Sequence, residues 1–207
     1  MNKNYESNME KRLIIVALGD SLTVGFQSNN PYSTPYTYYL TLKIEEMFKE
    51  LKRDQSVYIY NKGVVGDLTS GMLHRFYDDV ILLKPKYVII LGGSNDIGWG
   101  FSPSIVFKNL EKMYSIARKW SIEPIACTIP SILGFDSLIP PREELNNLII
   151  EYCKKNKIPF ADLFTATSDP NTKRLLEEYS DDGLHLTTKG YKKIADVIFE
   201  VLSNLII

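Results

Sequence analysis

The sequence predicts an α/β protein, a three-layer α/β/α sandwich on a parallel sheet of about five strands, and three observations carry that expectation. Short apolar runs alternate with longer segments of helical period from residue 11 to the end. The runs are nearly continuous in apolar character, as strands covered on both faces should be. Strands that alternate with helices pair in parallel through right-handed crossovers.

In chain order, the expected strands are Leu13 to Leu18, Val57 to Tyr60, Tyr87 to Leu91, Pro124 to Cys127 and Ile158 to Ala161. The helices are read from apolar stripes. Leu40, Ile44, Met47, Phe48 and Leu51 make the first, and a weaker helix is expected over Ser70 to Leu83. Val106, Leu110, Met113, Ala117 and Trp120 make another, followed by Leu145, Leu148, Ile149, Tyr152 and Cys153. The last helix, from about Thr188 to Asn204, carries Ile194, Val197, Ile198, Val201, Leu202 and Leu205, with Thr187 as its cap. Residues 1–10 are polar and aperiodic and are expected to be a flexible terminus, with 11–207 as one domain.

Composition narrows the function. Of the 207 residues, 44% are hydrophobic and 24% charged, the balance of a soluble globular chain. Lys and Arg total 24 against 25 for Asp and Glu, so no basic footprint for nucleic acid or an anionic membrane is present. The longest apolar runs are too short to cross a bilayer and no cleavage pattern follows them, so a cytoplasmic protein without integral membrane association is expected. Cys127 and Cys153 lack metal-binding spacing and are expected to be buried small hydrophobes. With only His74 and His185 in the chain, a metal centre built on several imidazoles is not expected.

In open parallel sheets, ligands bind beyond the carboxyl ends of the strands. Four segments there carry chemistry. Gly19-Asp20-Ser21-Leu22 puts a hydroxyl on a tight turn, where it can serve as a nucleophile or simply as a cap. In Asn61-Lys62-Gly63-Val64-Val65-Gly66-Asp67 the glycines allow backbone N–H groups to approach an oxyanion, or serve turns. Gly92-Gly93-Ser94-Asn95-Asp96 offers a side-chain amide to the same crevice; Ser94 is discounted as a nucleophile because Asp96 stands where the G-x-S-x-G turn needs glycine. In Asp181-Asp182-Gly183-Leu184-His185, an aspartate three residues before a histidine can fix its tautomer and leave the other ring nitrogen to take a proton.

Together the four segments resemble the blocks of the SGNH or GDSL hydrolase family: Gly19-Asp20-Ser21-Leu22, then Gly66, then Gly93-Ser94-Asn95-Asp96, then Asp182-Gly183-Leu184-His185, in the family's order across residues 19–191. The resemblance implies the SGNH-hydrolase fold, of flavodoxin-like architecture, and a serine esterase or acylhydrolase that forms a covalent acyl-enzyme. It implies Ser21 as nucleophile, His185 as general base and acid, and Asp182 rather than Asp181 as the residue orienting His185. The oxyanion hole would comprise the backbone N–H groups of Ser21 and Gly66 and the Asn95 amide, with Asp20 and Asp67 bracing the loops. It implies no metal and no cofactor, and a small-molecule ester as partner: a lipid, acetylated sugar, thioester or aryl ester. An acyltransferase using the same residues and an inactive ligand-binding module remain alternatives. Ile97, Trp99 and Phe101 after Asn95, and Ile132, Leu133 and Phe135 after the fourth strand, are candidates to line an apolar mouth. His74 carries no motif and is expected to be dispensable.

Overall fold

The computed structural model describes residues 12–30 and 34–207, so the expected flexible segment 1–10 lies outside the described residues. Five parallel strands, β1 (Arg12–Gly19), β2 (Ser56–Gly63), β3 (Tyr87–Leu91), β4 (Glu123–Cys127) and β5 (Phe160–Ala161), form one sheet in the order β2-β1-β3-β4-β5. β1 and β3 occupy interior positions and are almost wholly buried, which is why they read as unbroken apolar runs. β2 departs from the two-sided expectation. It is an edge strand with Tyr58 52% exposed, so only part of its apolar content is covered. β5 is two residues long rather than four: Pro159 has no N–H to give to the ladder and contributes only its carbonyl, to Ala126 N–H at 3.0 Å.

The principal helices are α1 (Ser21–Val24), α2 (Tyr36–Glu50), α3 (Thr69–His74), α4 (Phe76–Asp79), α5 (Ser94–Gly98), α6 (Pro103–Lys119), α7 (Ile139–Asn156), α8 (Leu163–Thr167) and α9 (Thr188–Ile206). The buried side chains of α9, among them Ile194, Ile198 and Leu202, recur at helical spacing and pack it against α2. Each such side chain contributes about 1.5–3 kcal/mol by leaving water. The Thr187 hydroxyl accepts the Gly190 N–H at 3.2 Å and starts this helix. α6 packs against both α7 and α3. Leu51 and Trp120, placed at the ends of two apolar stripes, are instead exposed, because both helices stop one residue before them. The helix expected over Ser70 to Leu83 is stepped at Arg75 and Val80 into α3, α4 and a short turn of 3₁₀ helix, while Met72, Phe76 and Val80 keep helical spacing and remain buried.

Cys127 and Cys153 are free and buried, and burial pushes both thiols up. One large apolar cluster occupies the sheet and its helices, with a small satellite of Ile132, Ile139 and Phe164 at the strand ends. No helix among the described residues is long and apolar enough to cross a membrane.

Candidate active site

All four sequence segments meet beyond the carboxyl ends of β1, β2 and β3. Asp20 turns the chain from β1 into α1: its buried Oδ1 accepts the Leu22 N–H at 2.9 Å, leaving Ser21 as the first residue of the helix. Ser21 Oγ lies 3.1 Å from His185 Nε2, and His185 Nδ1 lies 2.8 Å from Asp182 Oδ2. The other carboxylate oxygen of Asp182 accepts the backbone N–H groups of Leu184 (2.9 Å) and His185 (2.7 Å), so one carboxylate orients both the ring and the main chain of the histidine. Burial acts to raise the Asp182 pKa, but the His185 ring and these two N–H donors outweigh it and hold the carboxyl below its ordinary value. Asp181 makes none of these contacts.

The turn that carries Asp182 and His185 depends on Gly183. Its φ is +85°, and a Cβ there would collide with the Leu133 carbonyl, while its own carbonyl accepts the Leu133 N–H at 2.9 Å. Ser180 Oγ donates to the His185 carbonyl at 2.7 Å and accepts the Gly183 N–H at 2.9 Å. The Phe26 ring meets His185 edge-on at 4.6 Å, and the Tyr191 hydroxyl holds the Phe26 carbonyl at 2.5 Å.

Gly66 and Asn95 face the same crevice from the ends of β2 and β3. Gly66 has φ +75° at a turn closed by Asp67 N–H to the Val64 carbonyl at 3.2 Å, with open space where a side chain would stand. Asn95 Nδ2 donates one hydrogen to the Asp67 carbonyl at 2.9 Å, which fixes the amide plane and leaves its second hydrogen for another acceptor.

Three further side chains support the site: Arg75 and Arg142, which carry no motif, and Asp96, which lies inside the third segment without a predicted role there. Arg75 donates to Asp67 Oδ2 (2.8 Å), Asp79 Oδ2 (2.7 Å), and the carbonyls of Lys62 (2.8 Å) and Gly19 (2.9 Å), clasping the ends of β1 and β2 to the Gly66 turn. Buried Asp96 accepts from Thr69 N–H (3.0 Å) and the Thr69 hydroxyl (2.6 Å), tying α5 to α3. Arg142 on α7, 1% exposed, donates to Ser94 Oγ (3.2 Å) and the Pro130 carbonyl (2.9 Å). The available signal was position: Arg142 and Asn146 continue the Leu145–Ile149–Cys153 stripe at helical spacing, where a polar residue implies a buried partner.

A cavity of about 330 Å³ opens beside Asn95, lined by Trp99, Ile132, Phe135, Leu138, Leu184 and Arg142, among others. Trp99, Ile132 and Phe135 therefore line the cavity, but the other three candidates do not. Ile97 is 1% exposed and belongs to the main core, because two residues of helix turn it away from Asn95. Leu133 packs toward that core while its neighbour Ile132 faces the cavity. Phe101, 45% exposed, stands outside the lining. His74 is exposed on α3. Among the described residues no group of three His, Cys, Asp or Glu side chains is placed to hold a metal ion.

Burial pushes the Asp20 carboxyl up to about 7, against the lowering effects of the Leu22 N–H and the positive charge of Arg142, with Asp96 raising it further. The folded state thus holds this proton to higher pH than the unfolded chain. Stability from Asp20 is complete below the unfolded carboxyl value near 4 and is lost as pH rises to about 7. Asp20→Asn should remove that loss: between about pH 4 and pH 8, wild type should fall relative to the variant by on the order of 4 kcal/mol in denaturant titrations. Parallel stability curves for the two proteins would refute this.

A parallel α/β sheet with a Ser-His-Asp relay and amide donors at its strand ends defines an ester hydrolase of the SGNH type. A family model described as the GDSL-like Lipase/Acylhydrolase family matches residues 17–193, and the chain belongs to that family. It is 25% identical over 199 residues to an arylesterase of Vibrio mimicus, covering 91% of this chain and 87% of that protein. Among solved structures it is similar to a lipase/acylhydrolase from Enterococcus faecalis, with a TM-score of 0.77, 26% identity and coverage of 93% and 96% of the two chains. It is also similar to a GDSL-like lipase from Bacteroides thetaiotaomicron, with a TM-score of 0.71, 25% identity and coverage of 95% and 90%.

Proposed function

We propose that this protein hydrolyses a small or medium carboxylic ester through a covalent acyl-enzyme on Ser21. The contact of 3.1 Å between Ser21 Oγ and His185 Nε2 carries this reading. As Oγ bonds to the ester carbonyl carbon, its proton passes to Nε2, and the imidazolium so formed is stabilised by Asp182. The carbonyl oxygen becomes an oxyanion and is received by the Ser21 and Gly66 N–H groups and the free Asn95 hydrogen. Collapse breaks the bond to the alcohol oxygen, which leaves with the proton from His185. Water then repeats the sequence: its oxygen bonds to the acyl carbon, its proton goes to His185, and the acid departs as Ser21 Oγ is reprotonated.

The apolar walls of the cavity beside Asn95 suit an acyl chain or aryl group, and the arylesterase relative supports aryl esters as first substrates. A fluorophosphonate probe should add once, at Ser21, as read by intact mass and peptide mapping, and p-nitrophenyl esters should be turned over. Folded protein that takes up no probe would overturn the acyl-enzyme reading and favour a ligand-binding module.

A further inference from the structure

The cavity beside Asn95 has apolar sides but a cationic element in its wall. Arg142 offers five N–H donors. Its Nη1 serves Ser94 Oγ and the Pro130 carbonyl, whereas its buried Nε has no hydrogen-bond partner among the described residues. None of the ion pairs among the described residues includes Arg142. Its electrostatic counterpart is Asp20, whose carboxyl, pushed up to about 7, is incompletely ionised around neutrality. A buried cation without a contacting carboxylate is costly, and an anion that entered the cavity would relieve that cost.

We propose that Arg142 makes the site selective for esters whose acyl group ends in a carboxylate, that is, half-esters of short dicarboxylic acids. The ester carbonyl lies at Asn95 and the acid end is received by Nη2 of the guanidinium, because both Nη1 hydrogens are engaged and Nε is closed to solvent. The acyl group is short because Arg142 touches Ser94, the residue next to Asn95. A cavity of about 330 Å³ lies at the small end of the range for small-molecule sites and has room for such a group. This inference rests on the reading of Ser21 as the nucleophile of an esterase.

The test compares monoethyl succinate with ethyl isocaproate, which has the same shape with an isopropyl group in place of the carboxylate, by proton release at constant neutral pH. Wild type should favour the succinate by about tenfold or more in kcat/KM, as expected for a charge-assisted hydrogen bond. Arg142→Met should erase the ratio and Arg142→Lys, which keeps the charge but loses the Nη2 donors, should lower it severalfold. Equal turnover of the two esters by wild type would overturn the proposal while leaving the esterase reading intact, and so would an unchanged ratio in either folded variant. Calorimetric binding of both esters to Ser21→Ala separates the two readings from the other side. Tighter binding of the succinate in the absence of any wild-type turnover supports the Arg142 assignment and removes the esterase reading. Equal binding overturns the assignment.

Discussion

Ser21→Ala should lower the turnover of a p-nitrophenyl ester by about 10⁴-fold or more. The size of the loss follows from what is removed. One oxygen is deleted, and with it the hydroxyl that the His185 ring holds at 3.1 Å. The rest of the site does not depend on it: Asp20 still caps the Leu22 N–H, and Asp182 still fixes His185 through the ring and two backbone N–H groups. The folded state should therefore be as stable as wild type within about 0.5 kcal/mol, so the kinetic loss is not a folding loss. Residual hydrolysis from the amide donors alone should persist above the uncatalysed rate. Turnover within tenfold of wild type, in protein shown to carry alanine at this position, would remove Ser21 as the nucleophile.

Much of this site was legible in the sequence because each of its parts is local. Asp182 and His185 sit three residues apart on one turn, so their contact is settled within that turn. Ser21, Gly66 and Asn95 each follow a strand, and parallel pairing of β2, β1 and β3 brings those three strand ends together whatever the helices do. The supports were not legible, for the opposite reason. Arg75 reaches Gly19 across 56 positions of sequence and Arg142 reaches Ser94 across 48. An isolated arginine in a helical segment carries no sign of which distant carbonyl it will clasp. The lining was half legible for a geometric reason. A bend at Leu133 put Ile132 and Leu133 on opposite sides, and a helical turn carried Ile97 into the core, so apolar character alone did not fix direction. The edge strand β2 shows the same limit: its run of β-formers gives the strand, but its exposure is set by its place in the sheet order.

Asn95→Ala should reduce kcat by about 10²-fold to 10³-fold with little change in KM. The argument turns on the number of hydrogens. The Asn95 amide has two, and the one given to the Asp67 carbonyl at 2.9 Å costs the site nothing, since it holds the amide in place before any substrate arrives. The second hydrogen then gains most as the carbonyl oxygen acquires charge, so its loss is felt in the transition state rather than in the bound ester. Alanine suits the short helix α5, and the Asp96 contacts to Thr69 continue to tie that helix to α3, so the backbone of Asn95 should not move. Asn95→Asp is the sharper companion, because it keeps the size of the side chain and replaces the donor by a negative charge facing both the Asp67 carbonyl and the developing oxyanion. It should be at least as inactive as alanine. A rise in KM at unchanged kcat in Asn95→Ala would make the amide a ground-state binding group, and the oxyanion would then rest on the Ser21 and Gly66 N–H groups alone.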